Sequence, residues 1–193
     1  MKHLTLSIKD VKRDCLELSK LIDKSGFRPD CVVYIKTGGY LVGKYIAEYY
    51  KIQLRGLRIL REGNGIKSKF SFILRILPKF VKNLLRELEF KSGIHAKRSN
   101  RVVTEIDENL LYGENILLVD DSIDTGNTIV SALDFLKNNS NLDLNIKVLA
   151  LNKFKLSEKL MKTDYYLYED SIIIYPWSKD SKEYKDYIKE EGL

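Results

Sequence analysis

Cysteine, histidine, proline and long apolar runs are all scarce in this sequence, and these shortages exclude several classes of protein. The 193 residues include two cysteines, two histidines and three prolines. Cys15 and Cys31 lack the spacing of a metal-binding or redox pair, and the histidines are too far apart to form a metal cluster. No run approaches the length of a membrane-spanning helix, and the segment Met1–Asp10 lacks the pattern of an export leader. We therefore expect a reduced, cytoplasmic protein.

The positive charge is concentrated in one segment. The net charge is +6, and residues 60–101 contain eleven lysines and arginines against three glutamates, so the rest of the chain is slightly negative. The length and the 44% hydrophobic content fit one α/β domain with an elaboration. The basic segment is the natural candidate for that elaboration.

The most informative stretch begins at Asn115 with a strand-like run that ends at Val119. Two adjacent carboxylates follow, Asp120 and Asp121, and they would repel each other unless a ribose diol or a magnesium ion lay between them. The next turn, 125–128, opens a helix and offers unpaired amides to an anion such as phosphate. A solvated turn and a receiver domain are the alternatives. A receiver domain needs an acceptor aspartate and a lysine on later strands, and only 73 residues follow Asp120.

A second strand, turn and helix precede this stretch. The strand Cys31–Ile35 leads into Lys36, Thr37, Gly38 and Gly39, and an apolar helical pattern follows. The glycines allow a ligand to approach the backbone closely, and Lys36 adds a positive charge beside them. Such a turn is weak evidence alone, but it gains weight from the acidic pair.

The segment Ile116–Thr128, ILLVDDSIDTGNT, resembles the phosphoribosyl-pyrophosphate (PRPP) signature of the type I phosphoribosyltransferases. The resemblance implies an α/β fold with a mainly parallel sheet, flanking helices and a hood loop. It implies that Asp120 and Asp121 hold the ribose hydroxyls and Mg²⁺, and that Asp124 is the catalytic residue near the attacking nitrogen. The 5'-phosphate would be bound by Asp124, Thr125, Gly126, Asn127 and Thr128. The pyrophosphate would be bound by Lys36, Thr37, Gly38 and Gly39, with Thr37 where the xanthine-guanine branch has arginine.

The predicted acceptor site begins at the end of the strand 145–151. Lys153 resembles the lysine that contacts the exocyclic oxygen of the base in 6-oxopurine phosphoribosyltransferases. The alternative interpretation is a solvated lysine at the end of a strand, without a role in binding. The pair Pro176 and Trp177 also resembles the C-terminal part of the xanthine-guanine enzymes. Those enzymes have an aromatic ring that stacks on the purine four residues before the proline, and this sequence has Ile172 at that position. The acceptor-binding residues implied are Lys153, Ile172, Ile173 and Trp177.

The basic segment predicts two further features. Residues 61–90 form two short amphipathic helical patterns that meet at Pro78. This insertion would cap the domain or form a dimer contact, bind a membrane surface peripherally, or cover the acceptor. Residues 91–101 have no periodicity and are predicted to form the hood loop, in which pyrophosphate contacts would come from Lys91, His95, Lys97 and Arg98. No recognised nucleic-acid-binding module is present, so we expect no nucleic-acid partner.

The remaining patterns complete the predicted domain. Helices are predicted over 7–25 and 180–190, and short edge strands over 165–168 and 172–175. The strand Val102–Ile106 is expected to pair with Asn115–Val119 through a turn at Tyr112 and Gly113.

Three functions remain open at this point. The first is Mg²⁺-dependent transfer of a phosphoribosyl group from PRPP to a 6-oxopurine in purine salvage. The second is the same transfer to another acceptor, such as a lipid-linked or surface sugar. The third is a noncatalytic PRPP-sensing regulator. PRPP and a nucleobase-like acceptor are the expected partners, and a homodimer is expected because dimers are common in the family.

Overall fold

The computed structural model describes residues 1–61, 101–106, 113–140 and 142–191. The chain divides into two units, one formed by Met1–Ile59 with Val103–Leu193 and the other by Leu60–Val102. The predicted insertion and hood loop fall in the second unit, and apart from Arg61 and Arg101 they lie outside the described residues. The predicted single domain with an insertion therefore remains a prediction.

A six-stranded sheet forms the centre of the first unit. Its strands lie in the order β4-β3-β2-β5-β6-β7, and the neighbouring pairs from β3 to β7 are parallel. In chain order the strands are β2 (Cys31–Ile35), β3 (Gln53–Arg61), β4 (Arg101–Ile106), β5 (Asn115–Ile123), β6 (Asn145–Lys153) and β7 (Tyr168–Glu169). The prediction of an α/β fold with a mainly parallel sheet is confirmed.

Helices cover both faces of this sheet, which explains the nearly continuous apolar composition of its central strands. On one face, Val32 and Leu117 pack with α1 (Ile8–Ser25) and α2 (Tyr40–Tyr50). On the other face, Val33 and Leu118 pack with α3 (Asn127–Asn138). Successive strand residues thus enter opposite cores because side chains alternate along a strand.

A small second sheet joins the beginning of the chain to its C-terminal part. Strand β1 (Lys2–Thr5) pairs in parallel with β8 (Ser171–Ile174), and the last helix, α4, comprises Tyr184–Glu191. The sequence did not predict β1, because four mainly polar residues have no recognisable apolar alternation. No helix in the described part of the chain has the length and apolarity needed to cross a membrane.

Two expectations about strands need correction. The predicted pairing of 102–106 with 115–119 is wrong, because β4 lies beside β3 whereas β5 lies between β2 and β6. The short separation in sequence suggested that the two strands pair. However, β5 is a central strand that already pairs in parallel with β2 on one side and β6 on the other. Strand β5 also continues to Ile123, rather than ending at Val119, because its pairing with β6 continues to Lys153.

Candidate active site

The carboxyl ends of three adjacent strands bring the predicted site residues to one edge of the sheet. Tyr34 on β2 pairs with Val119 on β5, and Ile123 on β5 pairs with Lys153 on β6. The loop 36–39, the acidic pair and Lys153 therefore lie side by side. In open parallel sheets ligands bind at this edge.

The turn at Lys36–Gly39 packs directly against the acidic pair. A Cβ atom placed on Gly38 would lie 2.3 Å from Oδ2 of Asp121, and one on Gly39 would lie 2.7 Å from the carbonyl oxygen of Val119. Only glycine allows the two loops to approach so closely. Thr37 is exposed at the tip of the turn. The Lys36 stem crosses β3 at Gly56, where a Cβ would lie 2.4 Å from Lys36 Cε.

The acidic pair combines burial with dense hydrogen bonding. Asp120 is only 7% exposed, and its Oδ1 accepts a hydrogen bond from the backbone N–H of Asp121 (2.9 Å). Burial, and then the charge of Asp121, raise the pKa of the Asp120 carboxyl well above its ordinary value. Burial also raises the pKa of Asp121, although the hydrogen bond from Trp177 acts in the opposite direction. A cation or a hydroxyl-rich ligand between the carboxylates would offset the free-energy cost of holding two charged groups in this buried position.

The turn after the acidic pair leads into α3 through a left-handed glycine. Gly126 has φ +82°, and its carbonyl oxygen accepts the first intrahelical hydrogen bond, from Val130 N–H (2.9 Å). Among the described residues, no side chain caps this helix start. Thr125 and Asn127 are buried and bonded to each other, because the Asn127 amide donates to Thr125 Oγ1 (3.0 Å). The first amides of α3 are thus available to an anion. Asp124, directly before this turn, is exposed.

Lys153 lies at the end of β6 and is 4% exposed. Its ammonium group donates to Glu158 and forms an ion pair with Glu169 at 3.2 Å, and it lies 4.2 Å from the centroid of the Tyr166 ring. Burial alone would lower the pKa of Lys153, but the bonds to Glu158, Glu169 and Tyr166 raise it. The lysine is therefore a permanently charged donor that lines, together with Tyr166, a cavity of about 410 Å³.

The C-terminal segment reaches the acidic pair in a way that the sequence did not reveal. Trp177 donates from Nε1 to Asp121 Oδ2 (2.8 Å), and the Tyr175 hydroxyl donates to the Asp121 carbonyl oxygen (3.0 Å). No spacing signal links residues that are more than fifty positions apart, so the role of Tyr175 was missed. The engagement of Lys153 by Glu158 and Glu169 was missed for a related reason, since exposed acids give no distinctive pattern.

The other predicted acceptor residues lie on β8. Ile172 pairs with His3 and Ile173 with Leu4 across the small sheet. Ile173 packs against the core on the α1 and α2 face, and Ile172 is half-buried. The hood residues Lys91, His95, Lys97 and Arg98 lie outside the described residues.

The fold and site define an α/β protein with a glycine turn and a carboxylate pair at the carboxyl edge of a parallel sheet. The family model of the phosphoribosyl transferase domain matches residues 5–186. The chain therefore belongs to the type I phosphoribosyltransferase family, and it is an enzyme of PRPP-dependent phosphoribosyl transfer. No curated protein matches its sequence.

Solved structures of purine phosphoribosyltransferases share the fold. The purine phosphoribosyltransferase of Pyrococcus horikoshii has a TM-score of 0.65 at 18% identity, over 94% of this chain and 97% of the other. The xanthine-guanine-hypoxanthine enzyme of Helicobacter pylori has a TM-score of 0.61 at 18% identity, over 95% and 99%. The adenine enzyme of Thermoanaerobacter pseudethanolicus has a TM-score of 0.50 at 17% identity, over 86% and 81%. At these identities the likeness concerns the fold alone.

Proposed function

We propose that this enzyme transfers the 5-phosphoribosyl group of Mg²⁺-bound PRPP to a 6-oxopurine base and releases pyrophosphate. The observation that carries the proposal is the contact between the Gly38–Gly39 turn and the acidic pair. It brings the turn proposed to bind pyrophosphate against the carboxylates proposed to bind the ribose. The turn 125–128 at the start of α3 supplies an anchor for the 5'-phosphate.

The residues present fit a magnesium ion. Two carboxylates that are destabilised by burial and by each other gain from a divalent cation. Within the described part of the chain, no group of three or more His, Cys, Asp or Glu side chains could hold a metal ion. Asp120 and Asp121 would hold it together with oxygen atoms of PRPP and water, which is how Mg²⁺ binds beside phosphates. When bound, the ion neutralises charge on the pyrophosphate.

The chain's own residues then support a displacement at C1 of the ribose. The bond from C1 to the pyrophosphate oxygen breaks as a base nitrogen attacks, and positive charge develops on the sugar ring. Asp120 and Asp121 stabilise that charge from fixed positions. The Lys36–Gly39 turn, whose two glycine N–H groups donate to the Ile35 carbonyl oxygen, lies beside the leaving pyrophosphate. Asp124 accepts the proton that the attacking nitrogen loses.

Lys153 supports a 6-oxo rather than a 6-amino base. A lysine ammonium group has donors only, so it favours a carbonyl oxygen and opposes an amino group at the same place. In this structure its donors are directed to Glu158, Glu169 and Tyr166. A 6-oxopurine would therefore replace one of these partners, and we expect Glu158, which is 53% exposed, to give way first.

A different acceptor is the second candidate, and the engagement of Lys153 is the observation that favours it. If Lys153 remains paired with Glu158 and Glu169 when the acceptor binds, its ammonium group holds the loop after β6 in place. Other groups would then recognise the acceptor. The enzyme would then bind Mg·PRPP and transfer to an acceptor that is not a 6-oxopurine.

The test is pyrophosphate release from PRPP with Mg²⁺ against hypoxanthine, guanine, xanthine and adenine, with a control without acceptor. The proposal predicts release with at least one 6-oxopurine and much slower release with adenine. Replacing Lys153 by methionine should reduce kcat/KM for the 6-oxopurine while PRPP affinity is retained. PRPP binding without release on any base would favour the other acceptor class.

A further inference from the structure

Two hydrogen-bond donors hold the carboxylate of Asp121, one from the segment after β8 and one from β5 itself. Trp177 Nε1 donates to Oδ2 at 2.8 Å, and the backbone N–H of Ser122 donates to Oδ1 at 2.8 Å. Hydrogen bonds to an ionised group are among the stronger ones in proteins. With one donor on each oxygen, the carboxylate has a fixed orientation.

The donor itself is held in place. The rings of Trp177 and Tyr175 are stacked, with centroids 4.9 Å apart and planes 4° from parallel. Tyr175 is buried, and its hydroxyl donates to the backbone carbonyl of the same Asp121 (3.0 Å). One short segment thus fixes both the main chain and the side chain of Asp121.

From this geometry we propose that Trp177 is a positioning residue for PRPP binding, and that its indole N–H orients Asp121 before the substrate arrives. The inference rests on the proposed role of Asp121 in binding ribose and metal. A carboxylate that is already oriented loses less conformational freedom on binding, so the affinity for Mg·PRPP increases. This role differs from that of a wall residue of the acceptor pocket, which the Pro-Trp pair alone suggested.

The first test uses the wild-type protein, because Trp177 is the one tryptophan in the sequence. Mg·PRPP is titrated while tryptophan emission is recorded, and binding is measured in parallel by calorimetry. We expect a saturable change in emission with the dissociation constant found by calorimetry. Calorimetric binding without any change in emission would overturn the inference and leave the proposed function intact. Absence of calorimetric binding would overturn both.

The second test removes only the indole donor. Trp177→Phe keeps an aromatic ring against Tyr175 and should weaken Mg·PRPP binding about tenfold, the effect of losing a hydrogen bond to a charged group. Tyr187→Phe is the control, since the Tyr187 ring lies 6.1 Å from that of Trp177 and keeps its packing in the variant. We expect this control to bind like the wild type.

The binding of Mg·PRPP by Trp177→Phe can also contradict the inference. If Trp177→Phe binds Mg·PRPP as the wild type does but raises KM for hypoxanthine, Trp177 belongs to the acceptor pocket and the inference is wrong. Thermal unfolding of both variants identifies a general loss of structure. The fluorescence titration does not depend on any variant.

Discussion

Individual residues determine how closely the loops of this site approach one another. Gly38 and Gly39 are needed where they stand because the backbone of β5 and the carboxylate of Asp121 occupy the space of a side chain. Gly126 is needed for another reason, since its φ of +82° lies in the left-handed region. The same residue type thus serves close approach at one loop and backbone conformation at the other.

Gly38→Ala should damage the site more than the fold. The new methyl group would lie 2.3 Å from Asp121 Oδ2, so the carboxylate must move away from the position that Trp177 and Ser122 give it. We expect about tenfold to a hundredfold weaker binding of Mg·PRPP, because small misplacements of site groups have large effects. Calorimetric titration measures the change.

Gly26→Ala is the matched control for that variant. Gly26 ends α1 with φ +79°, and a Cβ there meets nothing within 4 Å. Alanine should lower the free energy of unfolding by about 1 kcal/mol through backbone strain and leave PRPP affinity unchanged. If both glycine variants bind PRPP equally well, the packing of the Gly38 turn does not support the site.

At the scale of secondary structure elements, the end of β6 and strand β7 are joined through charges around Lys153. The buried lysine meets Glu158 and Glu169, and Lys155 also lies 3.2 Å from Glu169. These contacts fasten the loop after β6 at the edge of the site. Because these contacts involve carboxylates, their contribution to stability should depend on pH.

Glu169→Gln should destabilise the protein at neutral pH but not in acid. The hydrogen bonds from Lys153 and then Lys155 lower the pKa of Glu169 below its ordinary value of 4.5. Its contribution to stability is therefore fully present above pH 4.5 and is lost as pH falls through the lower pKa of the folded protein. We expect only a small loss of stability at neutral pH, since the Glu169 side chain is 34% exposed and solvent screens its ion pairs.

Urea unfolding as a function of pH measures this effect, with Glu17→Gln on the exposed face of α1 as the control. The difference between Glu169→Gln and the wild type should shrink towards zero in acid, whereas the control should differ little at any pH. A difference that stays constant down to acid pH would show that the glutamate acts through packing rather than charge.

The central strands and the signature turn could be predicted because their signals are local. Residues 116–119 are continuously apolar, as a strand covered by helices on both faces requires, and the turn 125–128 follows at the start of α3. The neighbours of each strand could not be read in the same way. The placement of β4 beside β3 depends on contacts between distant segments, which periodicity does not encode.

At the scale of the whole molecule, the candidate site combines segments from most of the length of the chain. The turn after β2, the end of β5, the start of α3 and the segment after β8 all contribute. The sequence predicted the first three from their motifs. It did not predict that Tyr175 and Trp177 hold Asp121, because nothing local in Tyr-Pro-Trp identifies a partner in β5.

Ligand binding at such a site should stabilise the folded protein cooperatively. A ligand at a hundred times its dissociation constant adds about 2.7 kcal/mol to the free energy of unfolding. For a protein of this size Tm should then rise by roughly 5–10 °C with Mg·PRPP. Thermal unfolding with Mg²⁺ alone and with PRPP alone provides the controls, and both should give smaller shifts. Equal shifts with and without Mg²⁺ would contradict a shared metal and ribose site.

The central claim is that Asp120 and Asp121 form the site for Mg·PRPP, and calorimetric titration of the double variant Asp120→Asn with Asp121→Asn tests it most directly. Both side chains keep their size, and burial of uncharged amides is less costly than burial of two carboxylates, so the variant should remain folded. We predict that Mg²⁺-dependent binding of PRPP is abolished while Tm in the absence of ligand is retained or raised. Wild-type affinity in the folded double variant would contradict the account.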